Sequence, residues 1–361
     1  MINSFSGQMM TRMALIISLA LWGSGCGSSA TRETLKKVET FSESREYQKA
    51  LNLLREEIRL HPDEPKLQET FVIVLLKMKQ IDMARVVCVE MAKKFPRRNF
   101  LIETLAHRDV QVREGAARLA ALQKDDRAAG PLLKLLDDRE VNVRQAAVAA
   151  LGELRAEKAV DGLRRALGDS SWLVRADAAE ALRKIGDHAS VPHLIRALRD
   201  EEAYVRHTAG RAVQELALPS HQADLQGALN HENRDIRIVA AMSLARLKDA
   251  QAVPVLKTCL EDTDWAVRKN AISNLALLTE RGALPEIRKR LMDSEAQVRM
   301  EAVEAIRKFK DADSLDDLER MVENNREDRM IRLAAYAAAR EILIAQKKPS
   351  DAASFAVPVR P

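Results

Sequence analysis

Eight arginines recur at fixed spacing in this 361-residue chain. Arginine's planar fork favours one chemistry, a bidentate hydrogen bond to a carboxylate, with further N–H groups left for backbone carbonyls. The eight are Arg113, Arg144, Arg175, Arg206, Arg237, Arg268, Arg299 and Arg332; the first six intervals are 31 residues and the last is 33. Six residues before five of them stands an aspartate: Asp138, Asp169, Asp200, Asp262 and Asp293. His107, His231 and Arg326 stand at that place in the other three units. Because the arginine returns in every unit, a structural role is expected of it rather than a series of anion sites.

Other reactive residue types do not assemble into a catalytic pattern. The seven histidines are scattered, none lies in H-E-x-x-H, and no C-x(2)-C metal spacing occurs. No catalytic residue, metal or cofactor is expected. Residues that the repeat does not require are better candidates for binding. Trp172 and Trp265 lie three before their arginines and Tyr204 lies two before its own. Each is either a partner-binding anchor or a cover for the adjacent turn. Lys134, Arg164, Arg165, Arg196, Lys257, Arg288, Lys289 and Arg290 form a second set of candidates.

The elements that carry these residues are helices. In VRADAAEALRKIG, Val174, Ala178, Ala179 and Leu182 fall at helical spacing with charges between them. Gly186 marks a helix end, since glycine tolerates the left-handed cap. Pro192 opens a second helix, where its missing N–H is harmless. Leu132, Leu163, Leu194, Leu225, Leu256, Ile287 and Leu318 recur 31 apart, and Leu136, Leu167, Leu198, Leu229, Leu260, Leu291 and Val322 follow four residues later. That pair forms a seam toward neighbouring helices. Each arginine is also followed three residues on by a small alanine, from Ala116 to Ala335. A lone pair of helices cannot bury both faces, so the units must stack.

The pattern D-x(4)-V-R-x(2)-A, seen in DREVNVRQAA and DTDWAVRKNA, resembles the HEAT-repeat family, particularly its short bacterial form related to phycobilin-lyase repeats. The resemblance covers about residues 99 to 346. It implies an all-α fold, an α-α superhelix of the armadillo/HEAT type, and hydrogen-bonded rungs of Asp and Arg between adjacent units. It also implies that second helices line a concave surface. A basic groove there suits an acidic partner protein, anionic headgroups or a polyanion; the alternative is a solvated face balanced by Asp161 and Glu286.

Residues 31–97 keep another period. Pro62 recurs as Pro96, Ala50 as Ala84, Tyr47 as Ile81 and Leu54 as Cys88, each 34 apart. This is similar to two tetratricopeptide units, without that family's Trp and Leu-Gly pair. At the start, Met13–Trp22 is an apolar run of 10 residues, long enough for a signal-peptide core and too short for a span. Gly23, Ser24, Gly25 and Cys26 resemble the lipobox of bacterial lipoproteins, with Gly23 in place of the usual Leu. A start at Met10 leaves Arg12 as the positive end. The resemblance implies lipidation at Cys26, and Gly27 implies the outer membrane, facing the periplasm.

The expected organisation is a lipoprotein signal peptide at 1–26, a short tether at 27–33, two tetratricopeptide-like repeats at 34–97, a HEAT solenoid of seven to eight units at 98–347 and a disordered tail at 348–361. Net charge is +5 and aromatics are 4 per cent, a poor basis for stacking single-stranded nucleic acid. Cys88 and Cys259 read as free buried thiols. The leading expectation is a lipid-anchored scaffold that binds a protein partner, touches the membrane through its anchor only and takes no nucleic acid. The alternatives are a lyase-like or other enzyme-accessory role, as in the phycobilin-lyase relatives, and nucleic-acid or polyanion binding through a basic groove.

Overall fold

The computed structural model describes residues 29–96 and 99–346. The proposed lipobox, Cys26 and the tail at 348–361 lie outside them. Among the described residues every regular element is an α-helix or a short 3-10 turn. The chain divides after Gly186 into two compact units.

The first unit opens with four helices: α1 (Ser29–Glu43), α2 (Tyr47–Leu60), α3 (Pro65–Lys77) and α4 (Ile81–Lys94). Their packing follows the 34-residue period, for Ala50, Leu54, Ala84 and Cys88 are all buried. The proposed tether at 27–33 is corrected here, since α1 already begins at Ser29. The cause is burial. Thr31 and Thr34 are enclosed, and the Thr31 hydroxyl donates to the Glu57 carboxylate of α2.

The 31-residue units then begin. A short α5 (Phe100–Thr104) precedes α6 (Val110–Gln123), α7 (Ala129–Leu135), α8 (Val141–Glu153), α9 (Val160–Ala166) and α10 (Trp172–Ile185). The second unit continues with α11 (Val191–Ala197), α12 (Ala203–Leu216), α13 (Gln222–Ala228), α14 (Arg234–Arg246), α15 (Val253–Cys259), α16 (Trp265–Leu277), α17 (Leu284–Lys289), α18 (Ala296–Phe309), α19 (Leu315–Glu323) and α20 (Arg329–Ala345). Long first helices alternate with short second ones. Most second helices have seven residues, about 10 Å of rise. Alone they would be marginal, so their stability comes from the packed leucine stripe.

That stripe is buried throughout: Leu132, Leu163, Leu194, Leu256, Ile287 and Leu318 show no exposed surface. Ala116, Ala147, Ala178, Ala209, Ala271, Ala302 and Ala335 are likewise fully enclosed. A small side chain at this place lets successive first helices pack side by side within each unit. At one point even alanine would be too large. A Cβ placed on Gly152 in α8 would lie 2.8 Å from both Cα and Cβ of Ala181 in α10.

The turns repeat as faithfully as the helices. Lys124, Arg155, Gly186, Lys248, Thr279 and Lys310 stand at one repeat position, and all have positive φ. Gly186 has φ 83 and caps α10 as the sequence led us to expect. The others adopt the left-handed region with side chains that it disfavours. Ala217, at the same position, is extended instead, and Pro219 opens the following 3-10 turn. A 3-10 turn also precedes α11, and Pro192 sits in that helix's first turn.

Candidate functional site

The repeated arginines share one geometry. Arg113 Nη1 donates to the carbonyls of His107 (2.9 Å) and Arg108 (3.0 Å). Its Nε and Nη2 donate to Asp138 Oδ2 (2.8 Å) and Oδ1 (3.0 Å), 25 residues on. Arg144 repeats this with Asp169, and Arg268 with Asp293. The aspartate does a second job. Oδ1 of Asp138, Asp169, Asp262 and Asp293 accepts the backbone N–H two residues ahead, bracing the turn that starts the next first helix. Each rung therefore joins one repeat's first helix to the next repeat's turn.

Electrostatics follow from this geometry. Burial pushes the carboxyls of Asp138, Asp169 and Asp293 up, but the arginine fork and the backbone N–H outweigh it, and each lies below the usual carboxylate range. The hydrogen-bonded partners hold Arg144 and Arg268 above the ordinary guanidinium value against the effect of burial. These charges are spent on structure.

Three rungs depart from the pattern, two of them where the sequence lacks the aspartate. Arg299 forks onto Glu327 at 2.7 and 2.8 Å, one residue beyond Arg326 and 28 residues on, which accommodates the longer last interval. Arg206 has no aspartate at 231, and its Nε reaches only Asp235 Oδ2, at 3.6 Å. At Asp262 the arginine is exchanged: Arg234, not Arg237, holds both carboxylate oxygens. Arg175 donates from Nη1 to Asp169 O and Ser170 O. Asp200 braces the Glu202 N–H, and Arg332 donates to the Asn325 side chain.

A second carboxylate series was missed in the sequence. Asp125, Asp187, Asp249 and Asp311 recur every 62 residues, each just after a left-handed residue at 124, 186, 248 and 310. Arg288 Nε and Nη2 grip Asp311 at 2.7 and 2.9 Å, and Gln222 and Gln226 donate to Asp249. Ser190 and Ser314, both fully buried, donate to Asp187 and Asp311. The signal was available as an Asp at every second repeat.

That series sorts the basic candidates. Arg288 is engaged by Asp311 and also reaches Asp313 at 2.8 Å. Arg164 Nη1 donates to Asp161 at 3.1 Å. Lys257 donates to the Gly282 carbonyl and stands 3.9 Å from Glu286. Arg290 lies 3.7 Å from Asp293. Lys134, Arg165, Arg196 and Lys289, by contrast, are exposed and make no ion pair among the described residues. They share one repeat position, with Gly227 and Thr258 at the two intervening places and Arg320 at the next. Lys134 and Arg165 belong to the first unit, and Arg196, Lys289 and Arg320 to the second. Arg320 was not singled out in the sequence, and it pairs with Asp317 at 3.3 Å while staying exposed.

The aromatic candidates begin or nearly begin first helices. Trp172 and Trp265 are 39% and 38% exposed, and Tyr204 is 60% exposed. The two tryptophans thus keep most of their surface against the protein. Cys88 and Cys259 are free and buried, and burial raises their thiols to about 12 and about 11, so neither is a nucleophile near neutrality. Among the described residues no three His, Cys, Asp or Glu side chains are placed to hold a metal, and no helix is long and apolar enough to cross a membrane.

These rungs and helix pairs are those of a HEAT repeat. The family model of HEAT repeats matches residues 98–183, 131–214, 191–276 and 253–340, well over half of the chain. The chain belongs to the HEAT-repeat family, and its described part is an all-α, HEAT-type helical solenoid. Among solved structures it is similar to an engineered protein, with 21% identity, 79% of this chain and 89% of that chain covered and a TM-score of 0.46. It is similar to the Escherichia coli protein YibA at 22% identity, 66% and 91% coverage and a TM-score of 0.48. It is also similar to the CpcE and CpcF complex of phycocyanin lyase from a Nostoc species, at 19% identity, 68% and 94% coverage and a TM-score of 0.38. No curated protein matches.

Proposed function

We propose that this chain is a lipid-anchored interaction scaffold of a bacterial cell envelope, held at the outer membrane through Cys26 and facing the periplasm. Its HEAT units receive an acidic protein partner along the second helices, and residues 31–97 add two tetratricopeptide-like units beside the anchor. The observation that carries the reading is that Lys134 and Arg165 in the first unit, and Arg196 and Lys289 in the second, stand exposed at one recurring repeat position. Charges the fold needs are paired in the rungs, whereas these four are exposed and unpaired among the described residues. A cation left free at a recurring position is available to steer and hold an anionic partner. Support for the anchor is the apolar run followed by small residues and Cys26.

The test is charge reversal of Lys134, Arg165, Arg196 and Lys289 together, with the partner cross-linked in the native cells. Capture is expected to fall more than tenfold, with helical content unchanged and with stronger loss at higher salt in the unmutated protein. Undiminished capture would remove the basic row from the account. Fractionation with mass spectrometry of the N-terminal peptide checks the anchor. Diacylglycerol on Cys26 is expected, and an unmodified thiol in the cytoplasmic fraction would contradict the localisation.

A further inference from the structure

The exchange at Asp262 leaves Arg237 prepared for a carboxylate that no described residue supplies. In Arg113, Arg144, Arg268 and Arg299, Nη1 is fixed by two backbone carbonyls, and the Nε–Nη2 edge grips an acid. Arg237 has the same fixing, with Nη1 donating to His231 O at 2.6 Å and Glu232 O at 2.7 Å. Its own carboxylate would be Asp262, 25 residues on. Arg234 holds that group instead, through Nε to Oδ2 at 2.9 Å and Nη2 to Oδ1. Arg234 stands at the repeat position that Trp172 and Trp265 occupy elsewhere, so a side chain unusual for that place removes the usual partner. Among the described residues Arg237 meets no other carboxylate.

Arg237 lines an open cleft of about 460 Å³, together with Arg234, Thr258, Thr263, Asp262 and Glu261. Within it Asp262 is neutralised by Arg234. Glu261 is exposed and opposes a free anion. The cleft therefore does not concentrate small anions by charge, and geometry decides what it takes. A planar carboxylate suits a fixed guanidinium edge in two parallel hydrogen bonds. Attachment to a polypeptide that already touches the basic row raises its effective concentration.

We infer that Arg237 receives an Asp or Glu side chain of the partner polypeptide, which completes in trans the rung that Arg234 has emptied. This rests on the scaffold reading above. Thr258, which with Gly227 interrupts the recurring basic position, lines the same cleft, so the cleft includes one place of that series within the second unit.

The test reads the arginine directly. The full chain is titrated with acetate while the side-chain Nε–H of Arg237 is followed by NMR, with chloride at equal ionic strength as the control and Arg237→Gln to assign the signal. A saturable shift with acetate and none with chloride is expected. In Arg234→Ala, Asp262 is released to Arg237, and acetate binding is expected to weaken at least tenfold. Arg234→Gln repeats the test with a second side chain, and circular dichroism confirms that both variants remain helical. No saturable shift, or a shift unchanged in both Arg234 variants, overturns the site. If acetate binds as expected but no partner is cross-linked in cells, the scaffold reading fails and the site stands. If a partner is captured equally well by wild type and Arg237→Gln, the scaffold stands and the site falls.

Discussion

Arg268 and Asp293 are joined by two hydrogen bonds, Nε to Oδ2 at 2.8 Å and Nη2 to Oδ1 at 2.6 Å, with both residues buried. Arg268 also closes the Asp262 and Thr263 carbonyls, and Asp293 braces the Glu295 N–H. Removing one partner leaves a buried charge uncompensated, which costs about 3–5 kcal/mol. Arg268→Ala and Asp293→Ala should each lose about that much in denaturant unfolding, with a coupling of about 1–3 kcal/mol in the double-mutant cycle. Arg237→Ala, which breaks no ion pair, should cost about 1 kcal/mol. Equal losses at Arg268 and Arg237 would show that the carboxylate contributes little.

Acid should loosen the repeats. Asp138, Asp169, Asp293, Asp311 and Glu327 all titrate below the usual carboxylate range, because their arginines and backbone donors outweigh burial. A carboxyl lowered in the folded state contributes stability that is present above its unfolded pKa and is lost as pH falls through the folded one. Stability should therefore be level near neutrality and decline below about pH 4, where unfolded carboxyls begin to protonate. Asp293→Asn should flatten that decline. A steep loss between pH 6 and 8 would point to other groups.

The left-handed turns offer a gain. Thr279 has φ 55, a conformation that its branched side chain disfavours. Thr279→Gly should stabilise the fold by about 1 kcal/mol, the left-handed penalty less the added freedom of glycine in the unfolded chain. Lys124→Gly and Lys310→Gly should behave alike. Gly186→Ala should do the reverse. Thermal unfolding decides each, and a lower Tm for Thr279→Gly would contradict the turn assignment.

At Gly152 the usual rule inverts. Glycine inside a helix ordinarily costs about 1 kcal/mol relative to alanine. Here the added methyl meets the Ala181 backbone at 2.8 Å, which cannot yield as a flexible side chain would. Gly152→Ala should destabilise by about 1–3 kcal/mol, the range for overpacking. A neutral or stabilising result would mean that α8 and α10 lie further apart than described.

Much of this was legible before any coordinates. The 31-residue period placed the helices, the leucine seam and the small alanines, because burial on one face imposes the pattern directly. Gly186 announced its cap by residue type. Lys124, Arg155 and Lys310 could not, since their backbone conformation is set by the packed helices on either side. The Arg234 exchange was also hidden. Two arginines one helical turn apart compete for Asp262, and only their side-chain paths separate them. The expected tether lost Ser29 to Glu33 to α1 because the polar-looking Thr31 and Thr34 are buried, and Thr31 bonds Glu57. Among the basic candidates, Arg288 and Lys134 look equivalent in sequence, yet Asp311 claims the first and nothing described claims the second.

The measurement that bears most directly on the account is cross-linking of the tagged full-length protein in its native cells, followed by isolation of outer membranes and mass spectrometry. The account predicts a lipidated Cys26 and one envelope protein recovered in near-stoichiometric amount, lost on charge reversal at Lys134, Arg165, Arg196 and Lys289. A soluble, unlipidated chain without a partner would contradict it.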